Sequence, residues 1–118
     1  MEVMSKLQPG DLFLKARAAS QAAAVAESGR LPPEQQRGFD CGFAWVVIKP
    51  ARGPFASYLK ANNLGRVREY GGGGIEIWYS KLHNIGTQSV SVHYAAAKAF
   101  AEVLKQDGLH AYADQRLD

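Results

Sequence analysis

The sequence has very little cysteine and no long apolar run. Its one cysteine, Cys41, excludes an intramolecular disulfide, and without a second cysteine no Cys-x-x-Cys pair can build a structural zinc site. The longest apolar run, Phe43 to Ile48, is far shorter than the roughly 18 residues of a membrane-spanning helix. Residues 1–8 lack the apolar core of a secretory signal. We therefore expect a cytoplasmic protein with no metal and no membrane partner.

Neither sign of charge is in large excess. The 118 residues include 14 basic and 11 acidic side chains, and the net charge of +3 is smaller than that of a dedicated nucleic-acid surface. Residues 41–90, however, contain six of the basic residues and two of the acidic ones, so the positive surplus belongs to the middle of the chain. Such a surplus favours a phosphate or an acidic partner, although ordinary solvated charge gives the same pattern.

Length and composition predict a single domain, residues 1–118. A hydrophobic content of 47% with 21% charged residues is typical of a globular chain with one core. We divide this domain into an N-terminal helix with its linker, residues 1–38, and a core, residues 39–118. The alanine-rich segment Leu12 to Glu27 has high helix propensity but a weak apolar stripe. Such a surface suits close approach to another helix or to a second subunit, but a half-exposed helix is the interpretation that we favour. The linker, Leu31 to Gly38, contains two prolines.

The core alternates between strand and helix patterns. Its predicted elements are strand Phe43–Ile48, helix Pro54–Asn62, strand Arg66–Tyr70, strand Ile75–Tyr79, a helix from Ser89 or Ser91 to about Gln106, and strand Leu109–Ala113 before a polar tail. This βαββαβ order, with two right-handed crossovers, predicts an α+β ferredoxin-like sandwich with an extra N-terminal helix. The strands beginning near Phe43 and Ile75 are then central. The sheet face opposite the helices needs cover from the N-terminal helix or from a partner subunit, so we expect a homo-oligomer.

The turn after the first strand is a candidate anion site. Lys49 and Arg52 place two cations beside the start of a helix, where free backbone N–H groups and the helix dipole favour phosphate or carboxylate. Gly53 belongs to this candidate, but the spacing of a Walker loop is absent and Pro54 removes one donor. A solvated turn without a ligand is the alternative interpretation.

The glycine hairpin and its flanking strands form a second candidate. Arg66, Arg68 and Trp78 lie among tyrosines, and this interleaving of cations and rings is typical of sheets that stack single-stranded bases. The four-glycine run could close over a ligand or approach nucleic acid, whereas a plain mobile hairpin with core aromatics is the alternative. No RNA-recognition fingerprint is present. The predicted ligand-binding residues are Lys49, Arg52, Gly53, Arg66, Arg68, Gly72, Gly73 and Trp78.

The sequence shows no catalytic constellation. Cys41 with His83, His93 or His110 could form a nucleophile pair, but an isolated cysteine is usually a small buried apolar residue. The three histidines lack the spacing of metal ligands. We therefore predict a non-enzymatic protein with no cofactor, and a small hydrolase that uses Cys41 or the candidate anion turn is an alternative.

Leu64-Gly65-Arg66-Val67-Arg68, followed by Gly74-Ile75-Glu76, resembles the second-strand region of acylphosphatases. The resemblance implies their βαββαβ fold but not their activity. Acylphosphatases require a phosphate-cradling loop that ends in an arginine before the first helix, and an asparagine after the second strand. Here Gly53-Pro54-Phe55-Ala56 contains no arginine, and Glu69 takes the place of the asparagine. A carboxylate at that position would repel a substrate phosphate.

A second resemblance spans about residues 40–118. It is carried by Cys41-Gly42-Phe43-Ala44-Trp45-Val46, Pro50-Ala51-Arg52-Gly53, the glycine hairpin, Gln88-Ser89 and Arg116-Leu117-Asp118. These segments resemble small hypothetical proteins of tailed bacteriophages, which implies expression in the cytoplasm of a bacterial host and a role in binding. We therefore predict an accessory protein that binds a host protein or a phosphate-bearing small ligand. A single-stranded nucleic-acid-binding module is the alternative.

Overall fold

The computed structural model describes residues 7–32 and 41–117. Within these ranges the chain is an α+β protein with three α-helices and a four-stranded antiparallel sheet. The elements are α1 (Pro9–Arg30), β1 (Gly42–Lys49), α2 (Pro54–Ala61), β2 (Arg66–Val67), β3 (Ile75–Trp78), a 3-10 turn (Tyr79–Lys81), α3 (Val90–Gln106) and β4 (His110–Leu117). Most of the predicted linker, residues 33–38, lies outside the described ranges. None of the described helices is long and apolar enough to cross a membrane.

The sheet has the strand order β2-β3-β1-β4, and each neighbouring pair is antiparallel. The two strands predicted to be central, β1 and β3, therefore occupy the interior of the sheet. In β1 the adjacent residues Val46 and Val47 point to opposite faces, and both are fully buried. This burial on both faces explains why the segment is an almost continuous apolar run.

The alanine-rich helix α1 packs against α3. Its buried positions recur every fourth residue at Leu12, Ala16, Ser20 and Ala24, so small side chains form the contact stripe. The Ser20 hydroxyl donates a 2.9 Å hydrogen bond to the carbonyl of Ala96 on α3, which shows how closely the two helices approach. This is the close helix contact that the composition suggests. It also places α1 in the helical layer, so α1 does not cover the opposite sheet face.

The main core lies between the helical layer and the inner face of the sheet. Ala44, Val46 and Ile48 of β1 share that face, because alternate residues of a strand point the same way. They pack with buried side chains of all three helices, including Phe13, Ala56, Leu59, Ala97, Phe100 and Leu104. The inner face is thus apolar and closed, which leaves the outer face as the side of the sheet where polar chemistry can occur.

The extents of β2 and β4 differ from the prediction. β2 ends at Val67 rather than Tyr70, because a turn closed by the Gly73 amide and the Tyr70 carbonyl follows the hydrogen bond from the Arg68 amide to the Gly74 carbonyl. β4 continues to Leu117, although residues 114–117 have the composition of a polar tail. Its partner β1 is eight residues long and offers hydrogen bonds along its whole length, so pairing extends the strand.

Candidate functional site

The outer face of the sheet carries the odd-numbered residues of β1. Strand register places residues from three other strands beside them, so this face combines aromatic, basic and acidic groups. The outer face includes Phe43, Trp45, Val47 and Lys49 on β1, Arg66 on β2, Glu76 and Trp78 on β3, and Tyr112, Asp114 and Arg116 on β4. The aromatic residues of the two central strands lie toward the end where β1 begins. The glycine hairpin lies toward the other end.

Two basic side chains hold the glycine hairpin against the outer face. The Lys49 ammonium donates a 3.0 Å hydrogen bond to the Gly71 carbonyl. The Arg68 guanidinium donates to the Gly73 carbonyl at 3.0 Å and reaches the Tyr112 hydroxyl at 3.5 Å, so it crosses the sheet above Val47. Val47 is consequently 0% exposed. The hairpin end of the outer face is therefore not a bare apolar surface. The expectation of a homo-oligomer depends on such a surface, and the oligomer stays a prediction.

Glu76 is a buried carboxylate with several donors around it. Its side chain is 3% exposed and accepts hydrogen bonds from Arg66 Nε at 3.0 Å, Trp78 Nε1 at 3.0 Å and the Tyr70 hydroxyl at 3.1 Å. Burial by itself raises the pKa of Glu76, but the hydrogen bonds from Trp78, Arg66 and Tyr70 outweigh burial and hold the pKa below its ordinary value. Glu76 therefore stays ionised and fixes the positions of Arg66 and Trp78.

A groove of about 490 Å³ opens where β1 begins and β3 ends. We call it the aromatic groove; its lining consists of Phe43, Asn63, Leu64, Gly65, Arg66, Glu76, Trp78, Tyr79, Ser80 and Lys81. The rings of Phe43 and Trp78 meet edge to face, with centroids 5.9 Å apart and planes inclined by 71°. The guanidinium carbon of Arg66 lies 5.6 Å from the centroid of the Trp78 ring. The groove therefore joins stacking surfaces to a cation held in place by a buried acid.

A smaller cavity of about 180 Å³ adjoins the aromatic groove. It is lined by Cys41, Gly42, Phe43, Tyr79 and Gln88, and it shares Phe43 and Tyr79 with the groove. The Cys41 thiol donates a 3.4 Å hydrogen bond to Gln88 Oε1. Behind this cavity the Tyr79 ring stacks on the buried His93, with centroids 3.8 Å apart, so the ring has a fixed orientation.

Of the three histidines that the sequence offers as partners of Cys41, His110 lies far from it. His110 pairs with Lys49 at one end of β1, whereas Cys41 precedes the other end of that strand. His83 and His93 contact each other, with 2.9 Å between His83 Nε2 and His93 Nδ1. Because the Ile85 amide donates to His83 Nδ1, the His83 proton lies on Nε2 and is donated to His93. Burial lowers the pKa of His83, so this ring is neutral near neutral pH.

The eight predicted ligand-binding residues fall into three groups. Arg66 and Trp78 meet in the aromatic groove. Lys49, Arg68, Gly72 and Gly73 lie at the hairpin end of the outer face, and Arg52 and Gly53 lie exposed in the turn before α2. The structure thus separates the predicted basic residues, and it directs the Lys49 ammonium to the hairpin.

Sequence reasoning missed several groove residues, above all Phe43 and Glu76. Phe43 belongs to a run that is apolar on both faces, so its composition did not distinguish the groove side from the core side. Glu76 gave a weak signal, because it is a single acid between two isoleucines and must therefore point away from the apolar inner face.

No protein-family model, curated protein or solved structure matches this chain. Within residues 7–32 and 41–117, no group of three His, Cys, Asp or Glu side chains could hold a metal ion. Function is therefore inferred from the geometry and charge of the aromatic groove.

Proposed function

We propose that this protein is a non-enzymatic binding protein whose ligand carries both an aromatic ring and a phosphate group. The ring stacks on Trp78 in the aromatic groove, and the phosphate meets the cations at its rim. One observation carries the proposal: the Arg66 guanidinium lies 5.6 Å from the Trp78 ring centroid at the edge of an open groove of about 490 Å³. A cation beside a ring suits a ligand that combines negative charge with an aromatic group.

The dimensions of the groove support a small ligand or one unit of a larger ligand. Binding pockets for small molecules commonly have volumes of roughly 300–1,000 Å³, with apolar and aromatic walls and a few polar groups that fix orientation. The aromatic groove fits this description, since Phe43, Trp78 and Tyr79 supply ring surface while Asn63 and Ser80 supply hydrogen-bonding groups. A nucleotide combines the ring, the phosphate and the polar edge that these residues would contact.

The charges of the groove favour an anion. Its lining includes the cations Arg66 and Lys81 and the single carboxylate of Glu76. The Arg66 side chain is 69% exposed and Lys81 is also exposed, so both can reach a bound phosphate. Glu76 is engaged by three donors, and for this reason it orients Arg66 rather than serving as a general base. Binding rather than catalysis is what this arrangement supports.

The test is calorimetric titration of the protein with AMP, GMP, CMP and UMP at low ionic strength. We expect the nucleotides to bind more tightly than the corresponding nucleosides and than ribose 5-phosphate, because only the nucleotide uses both the ring surface and the cations. Arg66→Gln should weaken nucleotide binding about tenfold, as expected for loss of one charged hydrogen-bond partner. Trp78→Leu should weaken binding of nucleotides and nucleosides alike.

Arg52→Gln is the matched control, because it removes the same charge from the exposed turn before α2, at the opposite end of that helix from Asn63. We expect it to bind nucleotides like the wild type. Equal affinity of the wild type and Arg66→Gln would overturn the proposal. Loss of binding in Arg52→Gln alone would instead move the anion site to the turn.

We also propose that the fold is ferredoxin-like at the finer level of topology. The strand order β4-β1-β3-β2 supports this, as do the antiparallel pairing of all neighbours and the positions of α2 and α3 in the chain after β1 and β3. The additional helix α1 joins the helical layer through its contact with α3. An experimental structure with β2 away from β3, or with α2 and α3 on opposite sheet faces, would contradict this assignment.

The assembly and the cellular setting are separate proposals. We expect the protein to assemble as a homo-oligomer. From the resemblance to phage-encoded proteins, we also expect an accessory role in the bacterial cytoplasm. A host protein is the alternative ligand. Light scattering on the purified chain tests the first: a molar mass of one chain, 12.8 kDa, at all concentrations would exclude the oligomer. Capture of a host protein that is unaffected by Arg66→Gln would place a protein interface outside the groove.

A further inference from the structure

The aromatic groove and the smaller cavity adjoin each other along the rings of Phe43 and Tyr79, which line both. Centroid distances are 5.9 Å from Trp78 to Phe43 and 6.4 Å from Phe43 to Tyr79. Three rings therefore lie side by side next to the two cavities, at the end of the sheet where β1 begins. A ligand that occupies only the groove would leave the second cavity, of about 180 Å³, unused.

Hydrogen-bonding groups accompany the rings in both cavities. The groove contains the side chains of Asn63 and Ser80, and the smaller cavity contains the amide of Gln88, which is exposed. Amide and hydroxyl groups of this kind pair with the edges of unstacked bases, while aromatic rings stack on their faces. Each cavity thus presents the two kinds of contact that one base requires.

A third cation lies beside Phe43, one of the two residues that line both cavities. The guanidinium carbon of Arg116 on β4 is 5.5 Å from the centroid of the Phe43 ring, and Arg116 is an exposed residue that lines neither cavity itself. Arg66 and Lys81 lie at the groove. Positive charge is therefore present at the groove and beside Phe43, and a phosphate that links two nucleotides would lie between these positions.

We propose that the ligand is a single-stranded nucleic acid, and that two successive nucleotides occupy the aromatic groove and the smaller cavity. One base stacks on Trp78, the next contacts Phe43 and Tyr79, and Arg116 meets the phosphate between them. This inference rests on the proposed function and narrows its ligand class. A duplex is excluded as the ligand at this site, because its bases stay stacked on each other and cannot enter separate cavities.

The experiment compares ligands of increasing length by calorimetry and by fluorescence anisotropy. The series is TMP, pTpT and (dT)8, the corresponding uridine series, and an eight-base-pair duplex. We expect pTpT or pUpU to bind at least about tenfold more tightly than the mononucleotide, because stacking of the second base adds to that of the first. The duplex should bind far more weakly than (dT)8. The two series distinguish DNA from RNA as the preferred strand.

Gln88→Trp tests the second position, because the larger side chain fills the smaller cavity. We expect it to reduce dinucleotide affinity to the mononucleotide level, and to leave mononucleotide affinity within about twofold of the wild type. Gln106→Trp, at the opposite end of α3, is the matched control and should change neither affinity. Arg116→Gln is an independent test, since it removes the cation beside Phe43 without filling space. It should weaken binding of dinucleotides and longer strands only.

The two proposals fail in different ways. Equal affinity of the wild type for mononucleotides and dinucleotides would overturn the two-nucleotide site and leave the proposed function standing. Absence of binding for every ligand up to (dT)8 and (U)8 would overturn both. If Gln88→Trp and Arg116→Gln are folded by circular dichroism and both keep the wild-type dinucleotide affinity, the smaller cavity does not take the second base.

Discussion

The guanidinium of Arg68 lies 3.7 Å from the carboxylate of Glu76, and both side chains are no more than 5% exposed. They form an ion pair in the middle of the outer face, beneath the glycine hairpin. One side of the pair is connected to the hairpin through the Arg68–Gly73 hydrogen bond. The other side is connected to the groove through Arg66 and Trp78. The carboxylate of Glu76 thus stabilises the hairpin end of the outer face through Arg68, and it orients Arg66 and Trp78 at the groove.

Glu76→Gln should therefore reduce both stability and ligand binding. Removal of the carboxylate charge leaves Arg68 buried without a counter-charge, which we expect to lower the free energy of unfolding by about 2–3 kcal/mol. Urea denaturation measures this change. Glu69→Gln removes an exposed carboxylate from the turn between β2 and β3 and should change stability by less than about 0.5 kcal/mol. Equal stability of the two variants would show that Glu76 is not an essential partner of Arg68.

Stability should decrease as the pH falls below the ordinary histidine pKa of 6.5. Burial lowers the pKa of His83, so below pH 6.5 the unfolded chain binds a proton that the folded chain does not. The folded state consequently loses up to about 1.4 kcal/mol per pH unit from this residue as the pH falls through that window, and the contribution is regained above it. Urea denaturation at pH values from 7.5 to 5 tests this. His83→Gln should flatten the slope; an unchanged slope would exclude His83 as its source.

Gly74→Ala should be more destabilising than Gly73→Ala. Both glycines have positive φ angles, 95° and 78°, at which an L-residue is strained. A Cβ at Gly74 would also lie 2.7 Å from the Ile48 carbonyl oxygen, whereas a Cβ at Gly73 meets no described heavy atom within 4 Å. We expect about 1–2 kcal/mol of destabilisation for Gly73→Ala and about 1–3 kcal/mol more for Gly74→Ala, measured by urea denaturation. The opposite ranking would mean that the hairpin does not approach β1 this closely.

Ser20→Leu should disturb the contact between α1 and α3. Ser20 is fully buried and its hydroxyl bonds to the Ala96 carbonyl, so the larger side chain forces the helices apart at a cost of about 2–3 kcal/mol. Ala22→Leu introduces the same side chain on the exposed side of α1 and serves as the control, with little expected change. Thermal unfolding followed by circular dichroism compares the two. Equal melting temperatures would show that α1 does not pack closely through Ser20.

Local patterns were sufficient for those parts of the fold that depend on a few neighbouring residues. The apolar run Phe43 to Ile48 predicts a buried strand, and proline at the first position predicts the start of α2 at Pro54; both predictions are confirmed. The extent of β4 was not predictable in this way. Residues 114–117 become a strand because β1 offers them hydrogen bonds, and a partner strand is not visible in the local composition.

The candidate site shows the same division. Arg66 and Trp78 were identified because cations and rings alternate along the chain there, and the structure brings them together. The same pattern predicts Arg68, and the turn before α2 predicts Lys49, but the donors of both side chains are directed to the carbonyls of the glycine hairpin. The positions of basic side chains can be read from the sequence. The acceptor that each basic side chain contacts depends on which loop folds over which face of the sheet.

The order of helices and strands, the two-sided burial of β1 and the presence of basic and aromatic residues in the middle segment follow from the sequence by itself, because they depend on side-chain type and spacing. Tertiary structure decided that α1 joins the helical layer, that the hairpin covers one end of the outer face, and that Phe43, Arg66, Glu76 and Trp78 form the aromatic groove. These features arise from strand register and packing between residues far apart in the chain. A one-residue change in register would have sent Glu76 to the apolar inner face and removed the groove.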